Sequence, residues 1–283
     1  MSVSSARLAA TTILFVMFTL TSCSRGGSTT TTATVTPTGK SADFYWSAAR
    51  ETYAAGDYMK TADHLEHLID NQNQYTTRAI PWYLVVTSGM ANGYMRLADQ
   101  YIAGARINKP AAIALRRKAS AYRTTASQVA LRFAQNADKV QQIPLGLTPL
   151  SFPLPAGSAS ETELLTQIAK GRELPPADVE AAETLTVQHA VLMAACKVAG
   201  ATDNLAKAEE ILAGPHPEVA RATFGNAVAD MLTAESSLYE RSKLDEPAKL
   251  AAFRERADIV RKEATRVGSA HFVPASSIAE AKP

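Results

Sequence analysis

Apolar side chains recur every three or four residues through most of the chain after Asp43, which is the spacing of one face of an α-helix. The stepping is regular in residues 115–133 and 250–264, and in residues 224–238, where Glu235 interrupts it. No segment alternates with the period of two that a half-buried strand requires. The pattern therefore predicts an all-α fold, either an array of helical repeats or a bundle of antiparallel helices.

Prolines and glycines indicate where these helices begin and end. Proline is tolerated in the first turn of a helix, and glycine adopts the left-handed conformation that ends one. Residues 143–160 are rich in both, which predicts a connector that either divides the body into two helical halves, 43–142 and 161–272, or forms a loop packed across both. The apolar Leu147 and Phe152 favour a packed connector, and a flexible tail is predicted at 273–283. The predicted helix starts are Pro81, Pro110, Pro176, Pro217 and Pro247, and the predicted ends are Gly171, Gly200 and Gly214.

The first 22 residues have the pattern of an export signal. Arg7 precedes an apolar run, residues 8–20, that is too short to span a bilayer as an ordinary helix. The run ends in Leu20-Thr21-Ser22-Cys23, which resembles the lipobox of bacterial lipoproteins. The resemblance implies cleavage before Cys23 and acylation of that cysteine with chains such as palmitate. Ser24, rather than Asp, implies the outer membrane, with the protein facing the periplasm.

Residues 23–42 follow the predicted cleavage site and are rich in glycine and threonine. Such a segment cannot bury enough apolar surface to fold, so it is predicted to be a flexible linker between the lipid and the helical body. With Cys23 acylated, Cys196 would be the only remaining thiol, which leaves no partner for an internal disulfide.

Residues 42–70 resemble one helix pair of the tetratricopeptide repeat. Trp46, Ala49 and Tyr53 match the first helix, Gly56-Asp57-Tyr58 matches the turn, and Ala62 matches the small residue of the second helix. Residues 82–98 show a weaker resemblance to the same motif. The resemblance implies stacked helix pairs with a concave surface for a partner, and it implies no shared catalytic residue. The alternative is a generic helical bundle.

Aromatic side chains supply the candidate residues for such a groove. Gly89 and Gly93 lie four apart in this aromatic segment, which predicts a close crossing of two helices rather than a ligand site. Most of the rings are expected in the core, and some are expected to line a groove. The candidate groove residues are Tyr53, Trp82, Tyr94 and Tyr101.

His64 and His67 are the candidates for a metal site. They lie three residues apart, so a helix would place both imidazoles on one face, with Asp63, Glu66 or Asp70 as a third ligand. The favoured interpretation is a solvated polar face, so the sequence predicts no metal and no cofactor. Cys196 and His189 do not form a catalytic dyad, because seven residues along one helix separate their backbones by about 10 Å.

Composition and charge narrow the classes of function that the sequence allows. The net charge of +2 gives no reason to expect nucleic acid as a partner. The basic stretch at residues 106–123 is interpreted as a solvated helix face, with anionic lipid or an acidic partner as alternatives. No phosphate-binding glycine loop, nucleophile elbow or pair of catalytic carboxylates is recognised, which favours a protein that is not an enzyme.

The sequence therefore predicts a membrane-anchored periplasmic scaffold that binds a protein or peptide partner in the cell envelope. One alternative is a small-solute-binding accessory of a transport system, which would need a closed apolar pocket lined by Tyr94, Tyr101 or Phe152. A further alternative is a metal-dependent enzyme that uses His64 and His67.

Overall fold

The structure is a computed structural model that describes residues 40–150, 160–199, 218–242 and 246–270. Within these residues eight α-helices pack against one another, and the all-α fold class is confirmed. Two short strands and a 3-10 helix (Ala137–Gln142) complete the body. The elements are α1 (Ala42–Ala54), α2 (Tyr58–Asp70), α3 (Thr76–Ile107), α4 (Ala112–Asn136), β1 (Leu147–Pro149), α5 (Ser160–Ala169), α6 (Pro176–Val198), β2 (Glu218–Ala220), α7 (Arg221–Arg241) and α8 (Pro247–Ala270).

Local chemistry explains several helix boundaries. The Ser41 hydroxyl accepts a hydrogen bond from the backbone N–H of Phe44 at 3.2 Å and caps α1. Pro176 occupies the first turn of α6, and Gly171 follows α5 with a φ of 74°, both as predicted. Pro81 lies inside α3, five residues after its first residue, so that helix starts earlier than the proline indicated.

The long helix α3 is the centre of the molecule. It has 32 residues and packs against α2, α4, α5, α6 and α7, which explains why its side chains are buried on nearly every face. A methyl group added to Gly89 would lie 2.4 Å from Cα of Val191 on α6, and one added to Gly93 would lie 2.9 Å from Cα of Val187. The predicted close helix crossing is confirmed, and α6 is the partner helix.

The connector contains structure that the sequence analysis did not predict. Leu147–Pro149 pairs antiparallel with Glu218–Ala220 in a two-stranded sheet. The two predicted halves pack against each other, because α3 from the first half contacts both α4 and α6, and the described residues from Lys40 onward belong to one compact unit. Helix periodicity does not reveal which distant segments share a core.

The first tetratricopeptide-like motif coincides with the helix pair α1–α2, whose turn contains Gly56 at a φ of 78°. The weaker resemblance at 82–98 does not correspond to a helix pair, because these residues belong to the continuous helix α3. A search of the described helices finds none that is long and apolar enough to cross a membrane. The predicted signal peptide, Cys23, most of the linker, Phe152, Gly200, Gly214, Pro217 and the predicted tail lie outside the described residues.

Candidate binding cleft

A solvent-open cleft of about 780 Å³ lies between the α1–α2 turn, α3, α4 and the first half of α6. Pockets of about 300–1,000 Å³ are typical of ligand sites. We call it the acidic cleft, because three carboxyl groups and one ammonium group line it. The residues that define it are Asp57, Tyr94, Lys118, Glu180 and Glu183.

The α1–α2 turn forms one wall of the acidic cleft. Gly56 adopts a φ of 78°, and a methyl group there would lie 2.8 Å from Cγ2 of Thr184, so the turn needs glycine to approach α6 this closely. Asp57 follows and caps α2, because its side chain accepts a hydrogen bond from the backbone N–H of Lys60 at 3.2 Å. Asp57 also forms an ion pair with Nζ of Lys60 at 2.7 Å. Burial opposes ionisation of Asp57, but these contacts with Lys60 outweigh it and lower its pKa.

Three tyrosines stack beside Glu183, and one of them, Tyr94, lines the acidic cleft. The ring of Tyr122 lies between those of Tyr94 and Tyr101, with centroid distances of 6.1 Å and 5.6 Å. The hydroxyl of Tyr122 donates a hydrogen bond to Oε2 of Glu183 at 3.1 Å. Burial, and then the charge of Glu183, raise the pKa of Tyr122, so its hydroxyl remains a donor to this carboxylate.

The charge of the acidic cleft is negative. Glu180 lies one turn before Glu183 on α6, so both carboxylates are on the same helix face. Lys118 is the basic lining residue, and its ammonium group lies 5.5 Å from the centre of the Tyr101 ring. Carboxylates and tyrosine rings together bind a lysine or arginine side chain, through charge-assisted hydrogen bonds and cation–π contact.

The structure separates the four predicted groove residues into two groups. Tyr94 lines the acidic cleft, and Tyr101 belongs to the stack below it. Tyr53 and Trp82 are instead buried in the core, 4% and 0% exposed, with ring centroids 5.4 Å apart. Tyr101 is also buried, at 2% exposed, so a partner in a surface groove does not reach Tyr53, Trp82 or Tyr101, and the prediction of these three as groove residues is corrected.

Three of the residues that give the acidic cleft its character were not predicted from the sequence as site residues. Glu180 and Glu183 are spaced three residues apart, which places both on one helix face. This spacing could have indicated them, but charged helix faces are common in any soluble protein. Tyr122 belonged to the predicted apolar stripe of α4, and only the position of α6 places its hydroxyl against a carboxylate.

His64 and His67 take part in an aromatic contact between α1 and α2. The ring of His67 stacks on Tyr45 with centroids 3.7 Å apart, and that of His64 lies 5.9 Å from the same tyrosine. Of the neighbouring carboxylates, Asp63 and Glu66 pair with Arg132 on α4, and Asp70 pairs with Lys139 on the 3-10 helix that follows α4. Across the parts of the chain that the structure describes, no group of three or more histidine, cysteine, aspartate or glutamate side chains is arranged to hold a metal ion.

Two buried titratable side chains, Cys196 and Glu235, and the half-buried His189 are not among the residues that line the acidic cleft. Cys196 is buried, and His189 contacts the guanidinium of Arg96 through Nδ1 at 3.0 Å. Glu235 on α7 is fully buried, and its Oε1 accepts hydrogen bonds from Ser88 at 3.0 Å and Asn92 at 2.8 Å, both on α3. Burial raises the pKa of Glu235 to about 8, although both hydrogen bonds and Lys197 oppose this effect.

Comparison of the chain with protein families, curated proteins and solved structures finds no match.

Proposed function

We propose that this protein is a non-enzymatic helical scaffold of the bacterial cell envelope, which binds a segment of a protein partner in the acidic cleft. The observation that carries the proposal is the cleft itself, where Glu180, Glu183 and Tyr94 face a volume of about 780 Å³. Its charge favours a segment that presents a lysine or arginine side chain. The bound segment is an extended or helical stretch, since the cleft is open to solvent.

The form of the cleft favours a peptide over an apolar solute. A solute-binding accessory would need the closed apolar pocket described above, whereas the cleft that Tyr94 lines is open and carries three carboxyl groups. An acidic open surface excludes little water, so it binds an isolated apolar molecule weakly. A chain segment fits better, because it can combine one charged anchor with contacts along the rim.

The proposed anchor is Cys23, supported by the resemblance of residues 20–23 to the lipobox. More than one acyl chain makes such an anchor durable, since a single chain holds a protein only marginally. Ser24 supports the outer membrane as the site of attachment. Mass spectrometry of the purified protein should find an amino terminus at a modified Cys23, and an uncleaved or unmodified terminus would exclude the anchor without affecting the acidic cleft.

Photocrosslinking tests the acidic cleft directly. A benzophenone amino acid replaces Val179, which lines the cleft, in the full-length protein inside the cells that express it. The matched control carries the same group at Ile259, which is 43% exposed on α8 and outside the cleft lining. We expect a protein adduct at position 179 and none at position 259.

Charge reversal then distinguishes binding in the acidic cleft from crosslinking by random collision. Glu180→Lys combined with Glu183→Lys should reduce the adduct at position 179 by about tenfold or more, because two favourable charges become repulsive. Asp258→Lys, a reversal at an exposed carboxylate of α8, should leave the yield unchanged. Equal adducts at positions 179 and 259, or an adduct that charge reversal does not reduce, would contradict the proposal.

A further inference from the structure

The turn between α3 and α4 exposes two isoleucines to solvent. Ile107 ends α3 and is 64% exposed, and Ile113 in the first turn of α4 is 70% exposed. These are the highest exposures among the large apolar side chains in the described parts of the chain. Neither isoleucine belongs to the buried stripe of its helix, so packing within this chain does not explain them.

Positive charge surrounds these isoleucines. Arg106, Lys109, Arg116 and Arg117 are all exposed, and none of the four forms an ion pair with another residue that the structure describes. The sequence has no aspartate or glutamate between Asp99 and Asp138. We call this surface the basic tip, and it consists of Arg106, Ile107, Lys109, Ile113, Arg116 and Arg117.

The α5–α6 turn extends the charge of the basic tip. Nδ2 of Asn108 donates a hydrogen bond to the backbone carbonyl of Gly171 at 2.7 Å, which holds the two turns side by side. Lys170 and Arg172 flank that glycine and are exposed, and Glu173 is the acidic residue that follows them. The two adjacent turns therefore carry six cations and one carboxylate.

The basic tip is remote from the point where the linker enters the body. The Tyr75 hydroxyl, at the start of α3, donates to Asp43 of α1 at 2.6 Å, so the amino-terminal end of the body lies at that end of α3. The 32 residues of α3 separate this end from Ile107 by about 48 Å. A contact made by the basic tip is thus additional to any anchor near residue 23, and it does not depend on the acidic cleft.

We propose that the basic tip docks on an anionic phospholipid bilayer, with Ile107 and Ile113 entering the interface and the four tip cations over headgroup phosphates. An anionic bilayer offers negative charge and an apolar layer a few ångströms beneath it, which matches this combination of side chains. An acidic protein partner would account for the cations but would give the two exposed isoleucines no apolar layer to enter.

Site-specific fluorescence in full-length protein tests the docking. Cys23→Ser in every variant removes the acylation site and its thiol, and the remaining native cysteine, Cys196, is buried. Ile113→Cys or Ile259→Cys then carries an environment-sensitive nitrobenzoxadiazole label. We expect emission at position 113 to rise several-fold with vesicles of equal parts phosphatidylcholine and phosphatidylglycerol, and to change little with phosphatidylcholine alone. Position 259 is the matched control, because Ile259 is an exposed isoleucine of α8.

Neutralising the cations should weaken this response. Arg116→Gln with Arg117→Gln should raise the lipid concentration for half-maximal emission by roughly 25-fold, since each cation near an anionic surface contributes about fivefold in affinity. Arg254→Gln with Lys262→Gln, on exposed positions of α8, should leave it unchanged. Residues 1–39 are identical in all variants, so their own lipid affinity cancels from the comparison.

Three outcomes would overturn the proposal. The first is an equal response at positions 113 and 259, and the second is an equal response to the two kinds of vesicle. The third is the same emission change when soluble polyglutamate replaces the vesicles, which would identify an acidic polymer as the occupant of the basic tip.

Discussion

Gly89 shows how one missing side chain permits the central helix crossing. Three atoms of Val191 on α6, two of them in the backbone, lie within 2.7 Å of the position where a methyl group would stand. The neighbour cannot give way by rotating a side chain, because backbone atoms block the space.

Gly89→Ala should therefore lower the free energy of unfolding by about 1–3 kcal/mol, the usual cost of overpacking a dense core. Urea unfolding followed by circular dichroism measures this loss. The control is Gly268→Ala on α8, where the new methyl group meets Ala222 at an ordinary 3.5 Å. Gly268→Ala should be neutral or stabilising by up to about 1 kcal/mol, because alanine favours helix. A loss at both positions would contradict this account of Gly89.

Glu235 places an ionisable group in the interface between α3 and α7. Oε1 accepts two hydrogen bonds from α3, whereas Oε2 is buried without a hydrogen-bond partner among the described residues. Burial raises the pKa of this carboxyl to about 8, so the folded protein holds a proton there at neutral pH. The unfolded chain releases that proton near the ordinary glutamate pKa of about 4.3.

This difference makes the stability fall as pH rises between about 4.5 and 8, because only the folded state keeps the proton in that range. Glu235→Gln retains the shape and cannot ionise, so it should be more stable than the wild type by roughly 3–5 kcal/mol at pH 8 and above. The advantage should shrink toward pH 5. Urea midpoints from pH 5 to pH 9 measure the stability advantage of Glu235→Gln. The control is Glu255→Gln at an exposed position on α8. A stability difference between Glu235→Gln and the wild type that does not widen as pH rises would contradict a protonated Glu235 in the folded protein.

At the scale of elements, Arg221 joins α7 to α8 and to the 3-10 helix that follows α4. It begins α7, and its guanidinium donates to the carbonyl of Gln141 at 3.0 Å and to Glu263 on α8 at 3.2 Å. Its side chain is 8% exposed. Arg266 pairs with the same Glu263 at 2.7 Å, but its side chain is 68% exposed.

The two arginines provide a matched test of burial. Arg221→Met should destabilise the protein by about 1–3 kcal/mol, because it leaves the part-buried carbonyl of Gln141 and part of the Glu263 carboxylate without their donor. Arg266→Met should cost less than about 1 kcal/mol, since water replaces an exposed ion pair. Thermal unfolding of both variants measures the two losses of stability. Similar losses for Arg221→Met and Arg266→Met would show that burial of the arginine does not determine its contribution to stability.

At the scale of the whole molecule, α3 makes the two predicted halves into one cooperative body. It packs on α4 and on α6, so neither half keeps its core when the other unfolds. Both tryptophans, Trp46 and Trp82, lie before residue 143 and report only on the first half.

Tryptophan fluorescence and far-ultraviolet circular dichroism should therefore give the same urea midpoint, because the second signal reports on every helix. Gly89→Ala should move both midpoints together, since Gly89 stands between α3 and α6. Separate midpoints for the two signals would mean that the halves unfold independently.

Helical periodicity was sufficient to predict the fold class, since every helix must place apolar residues at 3.6-residue spacing whatever it packs against. The close approach at Gly89 and Gly93 was also predictable, because only glycine lets two backbones come so near. The short strand pair was not predictable, since β1 and β2 lie about 70 residues apart and three residues carry no period. The anchor at Cys23 stays a prediction from the sequence.

The acidic cleft was decided only by tertiary structure. Tyr53, Trp82 and Tyr94 are alike in sequence as aromatic residues of helices and all three are largely buried, yet Tyr94 alone of the three lines the acidic cleft. What separates them is which helix lies opposite, and a local pattern does not contain that information. The sequence by itself determined which residues form helices and which faces are apolar. The packing of α3 between α4 and α6 determined which polar side chains meet, because that depends on contacts between residues far apart in the chain.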